Sequence, residues 1–265
     1  MTANNLALKE EASYLGQQLF GNETVKCADF ANRLWDICTR ARGKDFLLIH
    51  NPGGWGSTPL ENLLPWERSI VEGVTATLKE MGYSWLLTQH FRSGSSWWTH
   101  LQDIKNEADF FFKGTSFKAD VMAAELKFIA HHLNNPKVIL LGASQGAAFS
   151  NAVMRQLGGL RRVYSIELGI FFPHLPRRVV TKRTLAIDNN GLLPDPMVHR
   201  DLKVGFKVYI TAPFRWVKYR LAGKPKKFTH CINAPGHDYG WQYPKVRQQI
   251  VDFLNINFSA KKPGT

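Results

Sequence analysis

The sequence predicts an α/β fold, in which a mostly parallel central sheet carries helices on both faces. Short apolar runs typical of buried strands alternate along the chain with longer segments in which apolar residues recur at the spacing of one helix face. Strands and helices that alternate in this way favour a parallel sheet, because each helix returns the chain to the edge where the previous strand began. One predicted strand also ends in a corner of small residues that leads directly into a helix.

Each element follows from its own local pattern. The predicted helices lie at 27–37, 70–81, 118–134, 147–157 and 246–254, after a polar N-terminal helix or arm at 1–22. The predicted strands are apolar, β-branched or aromatic runs at 46–49, 84–88, 138–141, 163–168, 184–187, 206–211 and 228–233. Strand 206–211 is an addition to the simplest arrangement and would extend the sheet at its end.

Length and composition limit the class of protein. A chain of 265 residues can bury a sizeable core, so we predict a single domain over 1–265, with a disordered tail at 261–265. The sequence shows no apolar run of about 18 residues and no basic or apolar leader segment, so we expect a cytoplasmic protein. Cys27, Cys38 and Cys231 lack metal-ligand spacing and are interpreted as reduced thiols packed in the core. We expect neither a metal nor a cofactor.

The charge is distributed unevenly. Residues 1–150 carry 14 Lys+Arg against 15 Asp+Glu, whereas residues 151–265 carry 20 against 6. A solvated basic surface, an anionic substrate and an anionic membrane surface all remain open as explanations. Specific binding to nucleic acid is not expected, because no helix-turn-helix, RNA-recognition or zinc-finger pattern accompanies the charge. The sequence does not indicate an oligomeric state.

The small-residue corner is the segment Gly142-Ala-Ser-Gln-Gly146, which fits the pattern G-x-S-x-G. It follows the apolar strand 138–141 and precedes the helix 147–157. Small residues suit a sharp strand-to-helix turn, where backbone segments approach closely and the central residue is held in a strained conformation. The hydroxyl of Ser144 would then lie at the apex, above the positive end of the helix dipole.

This corner resembles the nucleophile elbow of the α/β-hydrolase family, and the resemblance covers most of residues 43–258. It implies a serine nucleophile at Ser144, with an oxyanion-binding turn earlier in the chain and an acid and a histidine later. The turn His50-Asn-Pro-Gly-Gly-Trp-Gly56, directly after the first predicted strand, resembles the oxyanion turn of that family. The oxyanion hole would consist of the N–H of Gln145 and that of Gly53 or Gly54. A glycine-rich turn that binds no ligand is the alternative, whereas a P-loop is excluded by the absence of its G-K-[ST] ending.

The same resemblance identifies His237 as the base, because Gly-His-Asp lies between the last predicted strand and the last helix. The acid should lie between Ser144 and His237, near the end of a strand. Asp195 is our first choice because Asp195-Pro-Met-Val resembles the acid loop of the family; Asp188 is the second and Glu167 the third. Asp201 is interpreted as a surface ion pair with its basic neighbours.

These residues predict a serine hydrolase that cleaves a small-molecule carboxylic ester or thioester through an acyl-enzyme intermediate. The alternative is a catalytically inactive protein of the same fold that uses its basic surface to bind an anionic partner or membrane.

Residues 91–117 are rich in serine, glycine and aromatic residues. They are interpreted as a lid or cap, or the wall of an acyl pocket, with a surface excursion packed on the core as the alternative.

Overall fold

The computed structural model describes residues 3–92, 109–110, 113–223, 231 and 234–261. Most of the predicted lid at 91–117, most of the predicted strand at 228–233 and residues 262–265 of the predicted tail therefore lie outside the described residues. Three aromatic residues of the lid segment are described: Phe110 is buried against Phe149, whereas Phe91 and Phe117 are exposed, and Phe117 begins a helix. The prediction of a lid remains a prediction.

The fold is built around a sheet of five strands that all run parallel, which confirms the predicted α/β class. In chain order the strands are β1 (Phe46–Asn51), β2 (Trp85–Gln89), β3 (Lys137–Ala143), β4 (Val163–Leu168) and β5 (Thr184–Ile187). Their spatial order is β2-β1-β3-β4-β5. All five carboxyl ends consequently lie at one edge of the sheet, with β3 at its centre.

Seven long helices connect or flank these strands within the described residues. They are α1 (Ala3–Phe20), α2 (Thr24–Ala41), α3 (Pro65–Glu80), α4 (Phe117–His132), α5 (Gln145–Leu157), α6 (Leu202–Leu221) and α7 (Pro244–Asn257). Two 3-10 helices, Leu60–Asn62 and Phe172–Arg177, lie in the connections that follow β1 and β4.

The core has two halves, one on each face of the sheet, because successive strand residues alternate between the faces. On the first face, Leu47 and Ile49 of β1 pack with buried residues of α1, α2, α4 and α5. On the second face, Phe46 and Leu48 of the same strand pack with buried residues of α3 and α7. The molecule therefore has three layers, with helices on both faces of the sheet as the sequence predicts.

The prediction of a strand at 206–211 is wrong, because these residues lie inside helix α6. Phe206-Lys-Val-Tyr-Ile-Thr211 is rich in β-branched and aromatic residues, which favours a strand over a short window. Over a longer window, Val204, Val208 and Ala212 recur every four residues, and they form the inner side of the helix. The carboxylate of Asp201 caps the helix by accepting a hydrogen bond from Val204 N at 3.1 Å, in place of the predicted surface ion pair.

The last described residue, Lys261, is held on both its backbone and its side chain. Its N–H donates to Met81 O at 3.0 Å, and its Nζ lies 2.6 Å from Asp45 Oδ1. These contacts join residue 261 to the end of α3 and the start of β1, and the predicted disorder of the tail remains a prediction. Among the residues described, no helix has both the length and the apolar character needed to cross a membrane.

Candidate active site

Ser144 lies at a strained corner between the central strand and its helix. It has φ 52° and ψ −115°, a backbone conformation that L-residues rarely adopt. Its N–H donates to Leu168 O at the end of β4, with an N···O distance of 2.8 Å. The serine, which is partly exposed, consequently sits at the carboxyl edge of the sheet, at the start of α5.

The two glycines of the corner allow backbone contacts that no side chain would permit. A Cβ atom on Gly142 would lie 2.5 Å from Gly146 O, and one on Gly146 would lie 2.0 Å from Asn51 O. Asn51 also binds α5 directly, because its Nδ2 donates to Ser150 Oγ at 2.8 Å. Helix α5 thus crosses the end of β1 in close contact, and only glycine fits at the crossing.

The first-choice acid and the predicted base are hydrogen bonded to each other. His237 Nδ1 donates to Asp195 Oδ2 at 2.6 Å. The Asp195 side chain is fully buried, whereas the ring of His237 keeps 15% of its surface exposed. With the proton on Nδ1, the ring's Nε2 has a free lone pair that can accept a proton.

Two further hydrogen bonds hold the buried carboxylate of Asp195. Its Oδ1 accepts from Met197 N at 2.8 Å, and its Oδ2 also accepts from the hydroxyl of Tyr239. Burial, followed by the negative charge of Asp195, raises the pKa of Tyr239, so this phenol remains a hydrogen-bond donor. Tyr239 follows His237 by two residues, and the sequence analysis missed it because nothing in its local pattern distinguishes it from an ordinary core tyrosine.

The other two candidate acids bind an arginine and not the histidine. Arg178 Nε donates to Glu167 Oε2 at 2.9 Å, and its Nη1 donates to both carboxylate oxygens of Asp188 at 2.8 Å. Burial raises the pKa of Glu167, although Arg178 and Asn151 partly oppose this effect. Among the three acids ranked from sequence, Asp195 alone contacts His237.

Contacts through the backbone link the serine corner to the acid–histidine pair. Leu168, which accepts from Ser144 N, is followed by Gly169, where an added Cβ would lie 2.5 Å from the ring of Tyr239. Tyr239 in turn binds Asp195, and Asp195 binds His237. Ser144, Gly169 and Asp195 follow the carboxyl ends of β3, β4 and β5, and their contacts hold Tyr239 and His237 at the same edge. The structure contains no hydrogen bond between Ser144 Oγ and His237, so it brings two of the three predicted residues into direct contact and the third to the same edge.

The predicted oxyanion turn lies beside Ser144, but one of its two candidate donors is already engaged. A Cβ on Gly53 would lie 3.3 Å from Ala143 O, which places the turn against the end of β3. The Gly53 N–H donates to Glu67 Oε1 at 3.1 Å and is therefore not available to a ligand in this conformation. Within the described residues, the N–H groups of Gly54 and Gln145 have no partner.

His50 connects the turn to its neighbours through a defined ring tautomer. Gln89 Oε1 accepts from Leu60 N at 2.8 Å, so the amide nitrogen of Gln89 faces His50 Nδ1, 3.1 Å away, and donates to it. The proton of the His50 ring then belongs on Nε2, which lies 3.1 Å from Glu67 Oε1. A single buried carboxylate oxygen of Glu67 thus accepts from both His50 and Gly53.

Arg92 holds the other side of the same turn. Its guanidinium is buried and donates to Pro52 O at 2.9 Å and to Gly54 O at 2.5 Å. These two hydrogen bonds to loop carbonyls fix the path of the loop, since the loss of either would leave a buried polar group unsatisfied. Neither Glu67 nor Arg92 could be recognised from the sequence, because residue type alone does not distinguish a buried charged side chain from an exposed one.

In the part of the chain that the structure describes, no group of three or more His, Cys, Asp or Glu side chains is arranged to hold a metal ion. Comparison of the chain with protein-family models and with curated proteins finds no match.

Proposed function

We propose that this protein is a serine hydrolase of the α/β-hydrolase kind, which cleaves a carboxylic ester or thioester. The observation that carries the proposal is the hydrogen bond between Asp195 and His237, at the sheet edge where Ser144 occupies a strained corner. A buried carboxylate on Nδ1 orients the imidazole and stabilises the imidazolium that forms when the ring accepts a proton. A serine corner with this backbone, bounded by obligatory glycines, is the context that the G-x-S-x-G pattern requires.

In the proposed mechanism, Nε2 of His237 removes the proton of Ser144 as the hydroxyl attacks the acyl carbonyl. The N–H groups of Gln145 and Gly54 stabilise the oxyanion, and the loss of one such donor typically costs about 3 kcal/mol of activation free energy. The imidazolium then protonates the departing alkoxide or thiolate. Water, activated by the same histidine, hydrolyses the acyl-enzyme. The missing hydrogen bond between Ser144 and His237 is compatible with this mechanism, because catalytic hydrogen bonds are often long before substrate binds.

A fluorophosphonate probe tests the proposal, since it labels serines that a neighbouring base activates. We expect the full-length protein to be labelled at Ser144 and Ser144→Ala to show no labelling. Ser259→Ala removes the hydroxyl of an exposed serine and serves as the matched control, which should be labelled like the wild type. Hydrolysis of acyl esters and thioesters of varied chain length would then identify the acyl group.

The alternative is a binding protein of the same fold with an inactive site. Two observations favour it: Glu67 already engages the Gly53 N–H, and Ser144 Oγ makes no hydrogen bond to His237. Folded protein that the probe does not label would support this alternative and exclude the hydrolase. Labelling of wild type and Ser144→Ala to the same extent would exclude Ser144 as the nucleophile.

A further inference from the structure

Helix α6 exposes a continuous apolar stripe. Four of its large apolar side chains are exposed, and they are Ile210, Phe214, Val217 and Leu221. Successive residues of a helix are separated by about 100°, so positions spaced 4, 3 and 4 apart fall within about 60° of one another. Phe214 and Leu221 are 71% and 83% exposed, and a contiguous exposed apolar patch is typical of an interaction surface.

Basic residues border this stripe on both sides. On the same helical projection, Lys207 and Lys218 lie on one side of it and Arg220 on the other. All three are exposed. Arg220 also lies over the ring of Trp216, 4.3 Å from its centroid, which fixes the charge beside the stripe. The described residues of α6 contain no acidic side chain.

We propose that this face of α6 docks on the surface of an anionic phospholipid bilayer. An amphipathic helix with apolar residues at the centre of its outer face and lysine or arginine at its borders lies in the membrane interface, with the apolar side chains among the acyl chains and the cations at the headgroups. The charge of residues 151–265 has the sign that anionic headgroups attract. The proposal does not depend on the hydrolase activity.

A second copy of the chain is a poorer occupant of this face. A symmetric dimer would bring the same lysines and arginine of both copies together around the apolar stripe, and like charges that meet at an interface oppose association. A bilayer complements both parts of the surface, the apolar centre and the basic border.

The inner side of α6 connects this surface to the candidate active site. Val208 packs with Met197 and Ala234, in a small cluster apart from the two main core halves. Met197 N donates to Asp195, and Ala234 O accepts from His237 N. Docking through α6 would thus bring a bilayer to the sheet edge that carries the serine, the acid and the histidine.

Sedimentation of the full chain with vesicles tests the proposal. We expect binding to vesicles of phosphatidylcholine and phosphatidylserine at low ionic strength, weaker binding at higher ionic strength, and little binding to phosphatidylcholine alone. Lys207→Gln with Lys218→Gln should weaken binding about 25-fold, since each basic residue at an anionic surface contributes about fivefold. Leu221→Ser should weaken it about tenfold through lost apolar burial.

Matched controls distinguish the contribution of this face of α6 to vesicle binding from the contribution of the protein's overall positive charge. Arg161→Gln with Lys182→Gln removes the same charge from exposed residues that precede β4 and β5, at the opposite edge of the sheet. Ile256→Ser removes an apolar side chain that is 82% exposed, close to the value for Leu221. Both controls should bind like the wild type, and Ser144→Ala should too.

The proposal is overturned if vesicles with phosphatidylserine do not bind the protein at low ionic strength, or if the controls weaken binding as much as the α6 variants. A dimer in sedimentation velocity that Leu221→Ser dissociates would identify a second copy as the occupant and would also overturn it. Apart from Ser144, which is partly exposed, all exchanged residues are exposed, and circular dichroism verifies that each variant is folded. If Leu221→Ser does not fold, vesicle binding by the Lys207→Gln and Lys218→Gln double variant, compared with its Arg161→Gln and Lys182→Gln control, decides whether the proposal stands.

Discussion

At the scale of single residues, the contacts of Arg178 distinguish the three candidate acids. The guanidinium binds Glu167 and Asp188, and Asp195 is left to bind His237. The sequence favoured Asp195 only through the resemblance of Asp195-Pro-Met-Val to an acid loop. The structure adds a physical reason for the choice of Asp195. The N–H of Met197 donates to Oδ1 of Asp195 and leaves Oδ2 to accept from the histidine.

Asp195→Asn should lower the rate of fluorophosphonate labelling by roughly 10⁴-fold, the order of loss that follows when the residue that orients the base can no longer stabilise its imidazolium. Asp188→Asn is the matched control, because it makes the same chemical change in an acid that contacts Arg178 and not His237. Its labelling rate should stay near that of the wild type. Equal rates for Asp195→Asn and the wild type would contradict the assigned role of Asp195.

Sequence could predict the serine, the histidine and the first-choice acid because each lies in a local pattern of a few residues. It could not predict that Glu67 engages Gly53 or that Arg92 anchors the following carbonyls. Those contacts join the turn to a helix and to the end of another strand, and they depend on the distances that the finished fold sets. Local patterns therefore located the candidate catalytic side chains, whereas the hydrogen bonds of the predicted oxyanion turn required the structure.

At the scale of elements, local patterns again predict some strands and helices correctly, whereas others depend on contacts that only the complete fold sets. The strands of the sheet were predicted with small errors at their ends, because continuous apolar runs bounded by glycine or polar residues are typical of buried parallel strands. Helix α6 was mistaken for a strand because its central residues are β-branched or aromatic. Val204 and Val208 of α6 pack in a small cluster apart from the two main core halves, and they leave only a weak apolar period in the sequence.

The close crossing of α5 over β1 predicts that Gly146→Ala strongly destabilises the fold. The added methyl would lie 2.0 Å from Asn51 O, and relief of this contact requires a backbone shift that typically costs about 1–3 kcal/mol of unfolding free energy, or more. Gly159→Ala is the matched control, since an added Cβ there meets no atom within 4 Å. Urea denaturation of the two variants measures the difference, and a Gly146→Ala protein as stable as Gly159→Ala would contradict the crossing geometry.

At the scale of the whole molecule, buried ionisable groups make stability depend on pH. Burial, together with the charges of Arg33, Arg92 and Lys118, lowers the pKa of His90 to about 3. An unfolded chain has an ordinary histidine pKa of about 6.5, so between these values it binds a proton that the folded protein does not. The free energy of unfolding should therefore fall as pH decreases from about 6.5 toward 3, by up to about 1.4 kcal/mol per pH unit from this residue.

Buried Glu125 acts in the opposite sense, because burial raises its pKa and the folded protein keeps a proton that the unfolded chain has lost. Burial also lowers the pKa of His174 to about 4. Wild type and His90→Gln share Glu125 and His174, so the contributions of these two residues cancel in the difference between the two proteins. We expect the stability of His90→Gln, measured by denaturation from pH 6.5 to 4, to decline less steeply by about 1 kcal/mol per pH unit. Parallel curves would show that His90 does not titrate as its burial implies.

The position of α7 at the end of the described chain has a consequence for biosynthesis. A ribosome releases all five strands once Ile187 has emerged, but the second face of the sheet still lacks the helix that packs on Phe46 and Leu48. At about 5–20 residues per second, the stretch from Ile187 to Pro244 takes roughly 3 to 12 seconds to translate. During that interval the second face of the sheet in the nascent chain is incompletely covered. The second half of the core can therefore form only after translation has delivered helix α7.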